Sequence, residues 1–146
     1  PLMRSKSKAR AIFATLAERM DELPDLSVRL FVNVHRPWGD ETPESILLRE
    51  FSDAFRKDIW PGTRLPEVFY DPRALATGGG TRACLHAKCI VVDGRKAFIT
   101  SANFTEAAHS RNIEAGVLVN SPTVSQSLAK QFESLVDAKV LRRLPL

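Results

Sequence analysis

Apolar residues along the chain recur at helical spacing, then at strand spacing, and the two patterns alternate from end to end. Between Ser5 and Leu23, Ala11, Ile12, Leu16 and Met20 fall near helical intervals among Lys, Arg and Glu, which predicts an amphipathic first helix. Pro24 then separates it from Leu26 to Val34 (LSVRLFVNV), a run rich in β-branched and aromatic residues that predicts a strand. Thr42 before Pro43 and Glu44 reads as a cap followed by Pro in the first turn. Ile46, Leu47, Phe51, Phe55 and Ile59 carry that second helix as far as Pro61. Pro66 to Tyr70 predicts a short strand, and Asp71 to Arg82, with Asp-Pro and the run Gly78-Gly79-Gly80, a mobile loop. Asn112 to Asn120 (NIEAGVLVN) alternates as a strand. From Pro122 to Ala138 a stripe of Val124, Leu128, Phe132, Leu135 and Val136 predicts a closing helix packed on the sheet. Alternation of this kind predicts an α/β fold, a mixed β-sheet flanked by helices, with residues 1–146 as a single domain.

Composition narrows the picture only modestly. A chain of 146 residues, 44% hydrophobic and 26% charged, has the size and apolar content of one globular domain with a proper core. Twenty-one Lys and Arg against 17 Asp and Glu leave a net charge of +4, with a pI near 9.4, which suits a polyanionic partner. No apolar run reaches membrane-spanning length and no signal-peptide pattern stands out, so a cytoplasmic location without membrane partners is expected. Cys84 and Cys89 would lie on opposite faces of a strand and cannot chelate together, so reduced thiols are expected, with no metal site and no cofactor. The chain opens Pro-Leu-Met, which fits the C-terminal half of a longer protein.

The chemistry concentrates between Cys84 and Val119. Two apolar runs flank Asp93-Gly94, the pair that a two-residue type I′ hairpin turn prefers because both positions need positive φ. With that turn, Val92 faces Arg95 and His86 faces Ser101. Alternation then puts His86, Lys88, Ser101 and Asn103 on one side of the sheet. An imidazole, an ammonium, a hydroxyl and an amide together offer a nucleophile, one full positive charge and several hydrogen-bond donors, which suits a phosphate oxyanion. Asn103-Phe104-Thr105-Glu106 has the form of a capping box and predicts a helix start whose N–H groups add to the anion site. Glu114, a carboxylate among small and apolar neighbours, is costly unless partnered. Imidazole is a natural partner, since a carboxylate on one ring N–H fixes the tautomer that leaves the other nitrogen free to attack.

His86-x-Lys88-x4-Asp93, with Ser101-x-Asn103 and Glu114 downstream, resembles the HKD motif of the phospholipase D superfamily. The resemblance implies one lobe of that family's phospholipase-D/nuclease fold. It implies His86 as the phosphate-attacking nucleophile, Lys88, Ser101 and Asn103 as holders of the phosphoryl oxygens, Glu114 as the orienting acid and Asp93 as a structural residue. Thr100 stands where the family usually has Gly before the Ser. The run HAKCIVVDGRKAFITSANFTEAAHSRNIEAG is similar, more narrowly, to the phospholipase-D-like component of bacterial DISARM anti-phage systems. A phosphohistidine route also needs a group that protonates the leaving alcohol. The family takes it from a second HKD histidine, whereas this sequence holds one motif, and neither His35 nor His109 has its context.

A homodimer, or a second HKD lobe from a longer chain, is therefore the expected partner. The expected activity is that of a metal-independent nuclease, on DNA ahead of RNA, with Arg82, Arg95, Lys96 and Arg111 near enough in sequence to meet strand phosphates. Within a defence system, other proteins of the complex would be further partners. Hydrolysis or transfer of phospholipids is the alternative activity. A catalytically silent nucleic-acid-binding scaffold is the non-enzymatic one.

Overall fold

The computed structural model describes residues 6–78, 82–103 and 112–146. They form two compact units, residues 6–78 and 82–85 with 141–146, and residues 86–103 with 112–140. The α/β class with sheets flanked by helices holds. The strands are divided between a mixed sheet and an antiparallel one.

In the first unit, helix α1 (Lys6–Glu22) turns Phe13, Leu16, Ala17 and Met20 inward. That is the i, i+3, i+4, i+7 stripe of a helix with one buried face. Strand β1 (Arg29–Val32) pairs in parallel with β2 (Glu67–Tyr70), as a helical crossover between them requires. The crossover is α2 (Glu44–Ala54), which begins from Pro43 with no side-chain cap, so Thr42 does not play the capping part its position suggested. It runs into one π turn, Phe55–Ile59, closed by the Trp60 amide on the Phe55 carbonyl at 2.8 Å. Trp60 is buried against Phe55 and Phe13, and its indole N–H donates to the Arg64 carbonyl at 2.7 Å. Past β2, the expected mobile loop is partly ordered: Asp71 caps a 3-10 turn at Pro72–Leu75 by accepting the Arg73 amide at 2.9 Å, and Ala74 and Leu75 are buried. An Asp cap followed by Pro in the first turn is a start signal, and here it outweighs the loop composition. Gly79 and Gly80 lie outside the described residues.

Tyr70, the chain's one tyrosine, is buried at the end of β2 and donates its hydroxyl to Glu44 at 3.0 Å. Burial, and then the neighbouring carboxylate, push its pKa up to about 12. In the unfolded chain the phenol loses its proton near pH 10. The folded state therefore holds this proton longer. The stability it contributes is complete below about pH 10 and is lost as pH rises toward 12. Titration of the phenolate absorbance should place the native midpoint near 12, and Tyr70→Phe should remove that part of the alkaline destabilisation; a native midpoint near 10 would contradict it.

The second unit is the antiparallel sheet β3 (Cys89–Val92), β4 (Lys96–Thr100) and β5 (Gly116–Asn120), covered by α3 (Pro122–Asp137). Helix α3 starts as predicted, with the Ser121 hydroxyl accepting the Val124 amide and Pro122 in the first turn. On β4, Ala97 is fully buried under the helix, while Ile90, Phe98 and Leu118 occupy the other face and are exposed. The short strand β6 (Arg142–Arg143) returns to the first unit and lies antiparallel to β2.

Candidate active site

The hairpin that carries the site differs from its expected register by one residue. Asp93 and Gly94 do take positive φ, 51° and 60°, and the Arg95 amide closes the turn on the Val92 carbonyl at 3.0 Å. Pairing nevertheless resumes with Val92 opposite Lys96, so Arg95 is an extra, unpaired residue beyond the turn. Lys88 is consequently level with Thr100, whose amide donates to the Lys88 carbonyl at 3.0 Å, and continuing the ladder sets His86 level with Ala102 rather than Ser101. A one-residue slip moves side chains to opposite faces. Strand alternation therefore does not bring His86 and Ser101 together.

They meet for another reason. The ladder begins only at Cys89, and residues 82–88 and 101–103 are irregular, so side chains there are released from strict alternation. His86, Lys88 and Ser101 line one cavity of about 420 Å³, with Ile99 and Leu128 among its apolar walls. Lys88 Nζ lies 2.9 Å from both His86 ring nitrogens and donates to the His86 carbonyl at 2.9 Å. An ammonium has only donors, so the ring nitrogen it meets acts as an acceptor.

Across the cavity, Ser101 takes over one of the two ladder hydrogen bonds to Ala115 with its side chain. Its hydroxyl accepts the Ala115 amide at 3.1 Å and donates to Glu114 Oε2 at 2.5 Å, while its own amide donates to the Ala115 carbonyl. Glu114 Oε1 accepts from the Asn112 amide at 2.9 Å. The Ser101 hydroxyl first, then Asn112, and also the charge of Lys88 hold the Glu114 carboxyl below the usual carboxylate range. The orienting part expected of Glu114 is not seen as a direct contact: among the described residues no hydrogen bond joins it to His86, and its two oxygens accept from Ser101 and Asn112. Asn112 was not singled out from the sequence. Its spacing from Glu114, two residues apart on an extended segment, was the available signal.

Two other expected participants stand apart. Asn103 is exposed and is not among the residues that line the cavity. Asp93 follows β3 at the hairpin end, about 16 Å from Lys88 at roughly 3.3 Å per strand residue, and its visible role is to adopt the turn's left-handed conformation. The capping box from Asn103 to Glu106 falls largely outside the described residues, as do His109 and Arg111. His35, Arg95 and Lys96 are exposed, and Arg82 donates to the carbonyls of Arg36 and Pro37 at 2.6 and 3.2 Å.

Against known proteins, residues 65–136 match the family described as "Cardiolipin synthase, PLD-like domain". The match spans β2 through nearly all of α3 and contains the whole cavity. The match covers just under half of the chain, so residues 65–136 are similar to a phospholipase-D-like domain. Cardiolipin synthase C of Escherichia coli (strain K12) is 39% identical over 67 residues, which are 45% of this chain and 14% of that protein. The chain thus aligns with only a small part of that relative's length. No solved structure matches the chain at a significant level. Among the described residues, no helix is long and apolar enough to cross a membrane.

Proposed function

We propose that this phospholipase-D-like domain cleaves phosphodiesters through a covalent phosphohistidine on His86, without a catalytic metal. The observation that carries the reading is the meeting of the His86 imidazole and the Lys88 ammonium in the cavity that Ser101 lines, with Ser101 anchored on Glu114. When a phosphodiester enters, Lys88 exchanges its contact with the ring for one with a phosphoryl oxygen, and the uncovered nitrogen lone pair attacks phosphorus. The P–N bond forms as the P–O bond to the leaving alcohol breaks, and that oxygen must gain a proton. Water then attacks phosphorus, gives up its proton to the same acid group, now a base, and restores free His86. Lys88 would stabilise the charge on the phosphoryl oxygens, and the Ser101 hydroxyl would join it by exchanging its bond to Glu114 for one to the phosphoryl group.

A second copy of the chain is proposed as the source of the acid, its own His86 facing the first across a twofold axis. For the substrate, nucleic acid is the first reading, DNA ahead of RNA, supported by the net charge of +4. The role in anti-phage defence rests on the resemblance of the segment around His86 alone. A second reading, phosphatidyl hydrolysis or transfer, is favoured by the matched family and the relative, both described as cardiolipin synthases.

One assay separates these readings. Protein treated with EDTA is offered an oligonucleotide and, separately, phosphatidylglycerol vesicles, with sedimentation run on the same sample. Cleavage of the strand by a dimeric species is expected. Turnover of the vesicles alone would transfer the proposal to the phospholipid reading, and strand binding without cleavage would favour the silent scaffold.

A further inference from the structure

The loop between β1 and α2 ends in an apex that the fold holds outward. The Asp40 amide donates to the Pro37 carbonyl at 3.3 Å, which closes a turn with Trp38 and Gly39 in its centre, and Gly39 has a φ of 75°. Trp38 is 78% exposed, the chain's other tryptophan 1%. A single exposed aromatic is ordinary on a protein surface. Here, however, two arginines are committed to its support. Arg36 is buried, and its guanidinium donates to the carbonyls of Leu75, Asp40 and Thr42 at 2.7, 2.9 and 2.6 Å, tying both stems of the loop to the turn beyond β2. Arg82 donates to the carbonyls of Arg36 and Pro37, on the approach to the apex, and its guanidinium carbon sits over the Trp38 ring, 5.7 Å from the centroid. The ring is thus braced on one face, while its exposure leaves the other open to solvent.

Deep burial of an arginine is uncommon, and burying polar groups is tolerable only when they are hydrogen-bonded. Committing Arg36 to loop carbonyls makes sense if the position of the apex matters. A rigid indole with one open face is the element on which nucleobases stack, and the guanidinium behind it makes the pair a cation–π platform. Insertion into a membrane interface is the competing use of an exposed Trp. The residues that follow Trp38 in sequence, Asp40 and Glu41, supply none of the apolar or basic side chains that accompany insertion at a membrane interface. Arg82 also lies four residues ahead of His86 in the chain.

We propose that Trp38, braced by Arg36 and Arg82, is a stacking platform for one base of a single-stranded nucleic acid. This deepens the nuclease reading and rests on it for the identity of the ligand. The test is made on the His86→Ala protein, so that strands are bound and not consumed, using an oligodeoxythymidylate and an abasic strand of equal length. Trp38→Ala should weaken binding of the thymidylate about 5- to 100-fold, Trp38→Phe should keep most of the affinity, and Trp38→Leu, apolar but not planar, should not. The abasic strand should bind equally well whether or not Trp38→Ala has been introduced. Base binding should also quench the fluorescence of the exposed indole and leave that of the buried Trp60 unchanged. Unchanged affinity in Trp38→Ala, equal losses on both strands, or Trp38-dependent binding of phosphatidylglycerol vesicles in place of the thymidylate would each overturn the proposal. Failure of the unsubstituted protein to cleave, with Trp38-dependent binding intact, would sink the nuclease reading alone.

Discussion

His86→Ala should abolish phosphodiester cleavage and leave substrate binding nearly unchanged. The imidazole is exposed, and its contacts are with Lys88, so little packing is lost on truncation. What is lost is the atom that would form the bond to phosphorus. Alanine offers no replacement, and water would have to attack directly without a positioned base. A fall of at least about a thousandfold in turnover is expected, the scale of removing one member of a concerted catalytic set. Lys88→Ala should be less severe, about 10²- to 10³-fold, because it removes charge stabilisation and leaves the nucleophile. Single-turnover rates at saturating substrate, with binding measured alongside, separate these outcomes. A His86→Ala protein that retains turnover within about tenfold of the unsubstituted one would contradict the assignment of the nucleophile.

Trp60→Ala should be the most damaging substitution for stability. The indole is almost wholly buried, stacks on Phe55 with centroids 6.1 Å apart, meets Phe13 at 5.7 Å and satisfies the Arg64 carbonyl. Truncation forfeits the transfer free energy of the ring, opens a cavity and orphans that carbonyl. Losses of about 3–5 kcal/mol are typical of such sites, against a total of about 5–15 kcal/mol for a domain. The first unit should then unfold at much lower denaturant or be unfolded outright. Trp38→Ala, made at the exposed indole, should change stability by under about 0.5 kcal/mol. Equilibrium denaturation compares the two directly, and similar midpoints for both variants would show that Trp60 does not anchor this core.

The elements were legible wherever one local signal dominated. The stripe on α1, the β-branched run of β1 after Pro24 and the stripe of α3 from Pro122 each combine periodicity with punctuation, and each formed. Legibility failed where tertiary partners choose between local options. Asp93-Gly94 makes the turn that its residues prefer, yet the pairing of Val92 with Lys96 is set by the whole ladder, and Arg95 absorbs the difference. Glu114 was recognisable as a carboxylate in need of a partner. Which partner it took depended on the irregular stretch around Ser101 and on Asn112, both invisible to strand periodicity. Trp38 carries no pattern at all. Its placement follows from Arg36 and Arg82, which lie far apart in sequence.

The phosphohistidine is the central claim, and trapping it is the most direct measurement. Protein treated with EDTA is mixed with a phosphodiester substrate, quenched in alkali, where a phosphoramidate survives, and mapped by peptide mass spectrometry. A substrate-derived phosphoryl adduct on His86, formed and lost at rates that account for turnover and missing from the Lys88→Ala protein at the same early time, is the predicted result. Turnover in EDTA with the adduct on another residue, or with none at His86 during a resolved burst of product, would contradict it.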